Sequence, residues 1–175
     1  MVEELKHRAS KIKIITLDVD GVLTDGKLYY TERGEEIKVF NVKDGLGIKL
    51  AQKAGIEVCI ISSRFSKALH KRLEDLEIKE VFTGQKDKLD ALESIVKKKN
   101  ITFNEVAYIG DDLVDIPVMK KIGFPIAVNN ASDIVKKYAL YVTERKGGEG
   151  AVREAIELIL KLKGLMEKVI NEYVR

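Results

Sequence analysis

One cysteine, two histidines and two prolines are all that the 175 residues hold of these types, and each scarcity removes a class of explanation. Cys59 has no second cysteine to pair with, so no disulfide forms within the chain, which suits a reducing compartment. It stands inside the apolar run EVCIIS, where a packed, inert thiol is expected. One cysteine and two histidines cannot supply an ordinary zinc site. No apolar run approaches the roughly 20 residues of a membrane span. The opening MVEELKHRASK is charged throughout and lacks the apolar centre of a signal peptide, so a cytoplasmic protein is expected. An excess of one charge is missing too. Thirty-one basic against 28 acidic residues leave +3, spread along the chain, which argues for neither nucleic acid nor a membrane surface. The run Lys97-Lys98-Lys99 reads as a solvated helix end, where cations suit the dipole. High charge with few amides hints at a thermophile.

What is present is an ordinary globular mixture, 45% hydrophobic and 34% charged, long enough for a sizeable core in a single domain over residues 1–175. Short apolar runs alternate with segments of helical period. IKIITLDVD (12–20) reads as a strand, followed by strands at 57–62, 80–84 and 105–110 and shorter ones at 125–128 and 140–143. Helical patterns fall near 44–54, 66–76, 86–99 and 112–122, and a last helix runs from about Gly150 to the C-terminus. Gly55 is placed to stop the first of them. This alternation predicts right-handed βαβ units, hence an α/β, Rossmann-like, doubly wound and mostly parallel sheet with helices on both faces. One piece breaks the rhythm: residues 27–40 hold two strand-like runs around a turn at Arg33-Gly34 and read as a β-hairpin. Its Leu28, Tyr29, Tyr30 and Val39 form an apolar surface with no cover, and a lone two-stranded ribbon is marginal in water.

In a doubly wound sheet, ligands gather at the carboxyl ends of the strands. Four predicted strands end in polar residues: Asp18-Val19-Asp20-Gly21, Ser62-Ser63-Arg64, Lys86 and Lys88, and Gly110-Asp111-Asp112. An aspartate at a strand end is often only a helix cap or turn residue, a reading that holds about even weight for Asp112. A calcium loop fails at Val22 and Leu23. Gly45-x-Gly47 lacks the third glycine of a dinucleotide motif, and no P-loop exists. Asp18, Asp20 and Asp111 are hard oxygen ligands suited to Mg²⁺, which would also relieve their repulsion. With a lysine and a hydroxyl, the set matches the needs of phosphoryl transfer, where positive charge must offset an anion approaching an anion. Asp18 and Asp20, at i and i+2 of a strand, are expected on one face.

These residues carry a resemblance. Asp18-Val19-Asp20-Gly21-Val22-Leu23-Thr24-Asp25, Ser62, Lys88 and Gly110-Asp111-Asp112 follow the four ordered motifs of the haloacid dehalogenase superfamily. The strings FNVKDGLGIK (40–49), GDDLVDIPVM (110–119) and GGEGAVRE (147–154) narrow it, over residues 10–160, to capless members acting on 3-deoxy-D-manno-octulosonate 8-phosphate, a lipopolysaccharide precursor. The resemblance implies Asp18 as nucleophile, Asp20 as general acid–base, Ser62 on a phosphate oxygen, and Lys88 rather than Lys86 as phosphate partner. It implies Mg²⁺ held by Asp18, Asp111 and the backbone carbonyl of Asp20, with Asp112 in support behind them and Asp115 serving its helix. For substrate it implies Asp20, Lys88 and the segment Asn41, Val42, Lys43, Asp44 and Gly45. Arg64 and Arg72 suit a sugar carboxylate. Gly147–Arg153 would be a closing tail whose glycines suit a mobile lid. Ser63 in a place usually glycine, and Glu149 in a place usually basic or amide, depart from the pattern. Capless relatives are homotetramers whose hairpins cover neighbouring sites, and the hairpin and the helix past Gly164 are expected to meet another subunit. A nine-carbon sugar acid phosphate, or an inactive scaffold beside a sugar-acid cytidylyltransferase, stays open as an alternative.

Overall fold

Four consecutive buried residues, Ile14–Leu17, form strand β1 at the centre of a six-stranded sheet in the computed structural model, which describes residues 2–174. On one side of β1 lie β4 (Glu57–Ile61) and then β5 (Glu80–Phe82). On the other lie β6 (Val106–Gly110), β7 (Phe124–Ala127) and β8 (Tyr141–Val142), and every pairing is parallel. Strands β1, β6 and β7 are buried along their whole length, as expected where helices cover both faces of a parallel sheet. From β1 the chain moves outward through α2 (Val42–Lys53) and α3 (Lys67–Asp75) to β5, then returns through α4 (Lys88–Lys99) to β6 on the far side of β1. Right-handed crossovers in opposite directions put α2 and α3 on one face and α4 on the other. The strand order therefore reverses between β1 and β6, and their carboxyl ends flank the crevice that results.

Helix α7 (Ala151–Leu162) packs along α2 and along α1 (Val2–Lys11), while α4 packs against the single turn α5 (Ile116–Met119). Start and stop signals set these limits. Asn41, Ser66 and Asp87 cap α2, α3 and α4 through their side chains, and Gly55 (φ 79°) follows the end of α2 as expected.

Several expectations change. α1 was not anticipated: its charges mask an apolar edge that buries Ala9. The helix expected over 112–122 is a 3₁₀ turn, Leu113–Asp115, followed by α5, with Pro117 at the start of that helix. A further turn of helix, α6 (Asp133–Lys136), was also missed. The last helix does not run on: Gly164 (φ 68°) breaks it, and α8 (Met166–Asn171) folds back onto its own chain. There Val169 is buried, Lys53 pairs with Glu172 at 3.3 Å, and the Lys53 ammonium lies over the Tyr173 ring. Lys98 and Lys99 are not merely solvated, since they bind Glu80 and Glu57 at the start of the neighbouring strands. The hairpin is present but its paired part is short, β2 (Tyr29–Tyr30) against β3 (Glu36–Ile37), around Gly34 in the left-handed region. Leu28, Tyr30 and Val39 are each more than half exposed.

Candidate active site

The turn after β1 separates the two aspartates. The ladder continues for one bond beyond the strand, Asp18 N donating to Ile109 O at 3.1 Å, and then the chain closes on itself. Val19 O accepts from the amides of Val22, Leu23 and Thr24, and the buried Thr24 hydroxyl accepts from Gly21 N and Gly26 N. β1 has ended at Leu17, so the rule that i and i+2 share a strand face does not apply to Asp18 and Asp20. Their carboxylates go to different places.

Asp18 joins a buried cluster. Lys88, only 3% exposed, sits with Nζ 2.8 Å from Asp18 Oδ1 and 2.7 Å from Asp115 Oδ1. The Tyr108 hydroxyl donates to the same Asp115 oxygen at 2.6 Å, while Asp115 Oδ2 accepts from the amides of Asp111 and Asp112 at 2.8 and 3.1 Å. Carboxylate oxygens of Asp18, Asp111 and Asp115 lie within 4.8 Å of one another. Burial first, then the Asp115 charge, pushes the Asp18 carboxyl up to about 6 against the pull of Lys88. Burial, then Asp18 and Asp115, pushes the Asp111 carboxyl up to about 8. Burial opposes the Lys88 charge, yet the two carboxylates outweigh it and hold that lysine above its ordinary value. Burial also raises the Tyr108 hydroxyl well above its usual range.

Asp115 supports its turn as expected, accepting from the Asp112 amide, but it also takes the supporting role behind the site that was expected of Asp112. Asp112 is exposed and caps its own turn, its Oδ1 accepting from Leu113 N at 2.8 Å. Asp115 is fully buried and serves as the hub that fixes Lys88 and the Asp111 backbone. The spacing Gly110-Asp111-x-x-x-Asp115 held the signal, since one turn of helix returns the second carboxylate to the first. Tyr108 was read only as part of a strand, although a buried phenol needs a polar partner.

Asp20 faces the hairpin. Its Oδ1 is ion-paired with Lys38, whose side chain is only 5% exposed, and its Oδ2 lies 4.0 Å from the Arg64 guanidinium. Glu36 receives both cations, Lys38 at 3.3 Å and Arg64 at 2.9 Å. Lys38 and Glu36 escaped notice in the sequence. Their alternation with Ile37 and Val39 was the available sign, because residues two apart on a strand share a face.

The other expected residues fall around this centre. Ser62 is buried at the end of β4, one place past the residue level with Asp18 in the register, and its Oγ accepts from Arg64 N at 3.2 Å. Its own proton is thus free to donate. Lys86 is exposed, which leaves Lys88 as the lysine of the site. A Cβ on Gly45 would stand 2.2 Å from an Arg72 nitrogen, so Arg72 lies against the 41–45 segment. Within that segment Val42 and Lys43 face solvent. Asn41 caps α2 and donates to Gly148 O at 3.2 Å. Asp44, expected at the substrate, is 1% exposed and accepts from Arg153 N at 2.9 Å, so its carboxylate closes the first turn of α7. The tail is not a free lid. A Cβ on Gly147 would fall 1.6 Å from Gly21 O, and Gly148 N donates to Val22 O at 2.9 Å. The glycines permit this close contact with the catalytic turn. A cavity of about 510 Å³ lies alongside, lined by Lys43, Arg145 and Arg153 among others and by none of the clustered carboxylates.

The cluster fits a divalent cation. Three buried or half-buried carboxylates face one lysine, and a Cβ at Gly21 would stand only 1.9 Å from Asp111 Oδ2. Both oxygens of Asp115 are committed to protein donors, which leaves Asp18 and Asp111 as the side chains that would hold the metal. The carboxylate of Asp20 is outside the cluster, so any ligation by that residue falls to its backbone.

Known proteins resemble the chain closely. A family description for haloacid dehalogenase-like hydrolases matches residues 78–156. The chain is 44% identical to a 3-deoxy-D-manno-octulosonate 8-phosphate phosphatase of Escherichia coli, over 98% of this chain and 91% of the relative. The solved phosphatase of that name from Moraxella catarrhalis, a complex with magnesium, phosphate and KDO, superposes with a TM-score of 0.95 at 40% identity, covering 98% of each chain. The cobalt-bound enzyme from Haemophilus influenzae superposes with a TM-score of 0.91 at 40% identity, covering 96% of this chain and 99% of that one.

Proposed function

The chain belongs to the 3-deoxy-D-manno-octulosonate 8-phosphate phosphatases, a branch of the haloacid dehalogenase-like hydrolases, and from that premise we propose that it hydrolyses this ester to the free sugar acid and phosphate. It is a Mg²⁺-dependent phosphoric monoester hydrolase, and its product would serve lipopolysaccharide precursor synthesis. One observation carries the chemistry: at the crevice between β1 and β6, Lys88 is locked between Asp18 and Asp115, which aims the Asp18 carboxylate and places a fixed cation beside it.

In the first half-reaction an Asp18 oxygen bonds to phosphorus as the bond to the sugar oxygen breaks, and Asp20 gives that oxygen its proton. In the second, water attacks the phosphorus of the aspartyl-phosphate, Asp20 recovers a proton from it, and the Asp18 carboxylate departs. Lys88 and the Ser62 hydroxyl hold the phosphoryl oxygens. Mg²⁺ at Asp18, Asp111 and the Asp20 backbone supplies positive charge that offsets nucleophile against phosphate. Arg64 and Arg72 take the sugar carboxylate, with Asn41, Val42, Lys43 and Gly45 contributing at the rim.

The open rim and the uncovered hairpin support a homotetramer in which each hairpin completes a neighbouring site, and a chain with one cysteine suits the reducing cytoplasm. Among the described residues no helix is long and apolar enough to cross a membrane. Phosphate release with Mg²⁺ across a panel of sugar phosphates tests the reading. The eight-carbon sugar acid phosphate should give the highest kcat/KM. A preference for a nine-carbon acid would move the substrate, and silence across the panel would sink the enzyme.

A further inference from the structure

Four charges, Asp20 among them, meet here from three separate segments. Asp20 follows β1, Glu36 and Lys38 lie on the returning arm of the hairpin, and Arg64 follows β4. Lys38 is the most enclosed of them, its side chain 5% exposed, against 24% for Asp20 and 40% for Arg64. Holding a lysine so far from water is costly unless its partners fix it, and both of its partners, Asp20 and Glu36, are carboxylates. The same Glu36 oxygen that Lys38 approaches also ion-pairs with Arg64, at 2.9 Å. The result is a closed ring of alternating charge with the Lys38 ammonium as its innermost member, paired directly with the Asp20 carboxylate. The ion pairs of that carboxylate go to Lys38 and Arg64, whereas Asp18 and Asp115 pair with Lys88.

We propose that Lys38 is the positioning residue of the acid–base group, holding the Asp20 carboxylate in the orientation from which it exchanges a proton with water, with Glu36 beside Lys38. The inference rests on the reading of Asp20 as acid–base. It ties the seating of the hairpin to chemistry: Lys38 sits one residue beyond β3, so a displaced hairpin releases Asp20 from its aim. The nucleophile has its own lysine, and Lys38 has no part in forming the aspartyl-phosphate when the leaving group needs no proton.

p-Nitrophenyl phosphate separates the two steps, because p-nitrophenolate leaves without acid help whereas hydrolysis of the aspartyl-phosphate still needs the base. In stopped-flow experiments with Mg²⁺, Lys38→Met should keep the rate of the p-nitrophenol burst within about threefold while the steady-state rate falls about 100-fold, the lower end of acid–base contributions. Lys38→Arg, which restores a cation, should recover at least tenfold of that loss, and Glu36→Gln should show the same split at smaller size. A burst that slows in parallel with the steady state overturns the proposal, as does a Lys38→Arg enzyme no better than Lys38→Met. Should Lys38→Met fail to fold, Glu36→Gln and Lys38→Arg decide by the same criterion. Asp20→Asn run alongside distinguishes the underlying reading: no split there refutes Asp20 as the acid–base group, whereas a split in Asp20→Asn without one in Lys38→Met refutes only the role of Lys38.

Discussion

Stripping divalent metal from this protein should make it less stable as the pH rises, the reverse of what paired carboxylates usually do. In the metal-free cluster the Asp18 carboxyl is pushed up to about 6 and the Asp111 carboxyl to about 8, from an ordinary 3.8. A carboxyl raised in the folded state keeps its proton there, so its contribution is full below pH 3.8 and is lost as the pH climbs through the raised value. The losses begin at about pH 4 and run to about pH 8, and the part between about pH 5 and pH 8 is the part that unfolding at those two pH values reads. At about 1.4 kcal/mol per tenfold change in proton affinity, with the two groups titrating as a pair, they reach on the order of 4 kcal/mol by pH 8. For a chain of this size that lowers Tm by about 10 °C. Mg²⁺ competes with those protons for the same oxygens, and at a hundred times its Kd it returns about 2.7 kcal/mol. Thermal unfolding followed by circular dichroism, in EDTA and in excess Mg²⁺ at about pH 5 and pH 8, should show the larger Mg²⁺ gain at the higher pH. Asp111→Asn should flatten both responses, since it removes a repelling charge and a ligand together. A Tm in EDTA that is level or rises across this range, or an equal Mg²⁺ gain at both ends, would refute the account of the cluster.

Asp18→Asn should abolish turnover, and acid quenching with labelled substrate should trap phosphoprotein from the parent enzyme but none from the variant. Lys88→Met leaves carboxylates buried without their cation and should cost about 3–5 kcal/mol in urea unfolding, with the deficit shrinking as the pH falls and Asp18 takes up a proton. Asp44→Ala removes the cap of α7 and should cost about 1–2 kcal/mol. An effect of that variant confined to KM, with unfolding unchanged, would restore Asp44 to the substrate.

Alternation of short apolar runs with helical periods was enough to specify the doubly wound sheet, because β1, β6 and β7 are buried on both faces and their sequences say so locally. The polar residues after four strands were equally legible, since a strand of known direction announces where its end must be. Asp18, Ser62, Lys88 and Asp111 could all be nominated on that ground. What no local pattern held was the direction of each side chain once the strands had ended. The three amides gathered by Val19 O turn Asp20 away from Asp18 and toward the hairpin. Asp115 and Asp112 differ only by their place on one turn of helix, and packing against Tyr108 and Lys88 made the inner one the hub. The glycines of residues 147–150 looked like freedom in the sequence, but contact with Gly21 O makes them a matter of fit. Periodicity is a property of neighbours along the chain, so sequence alone determined the layers and the rim. Partnership between charges is a property of neighbours in space, and only the folded chain decided which carboxylate meets which cation.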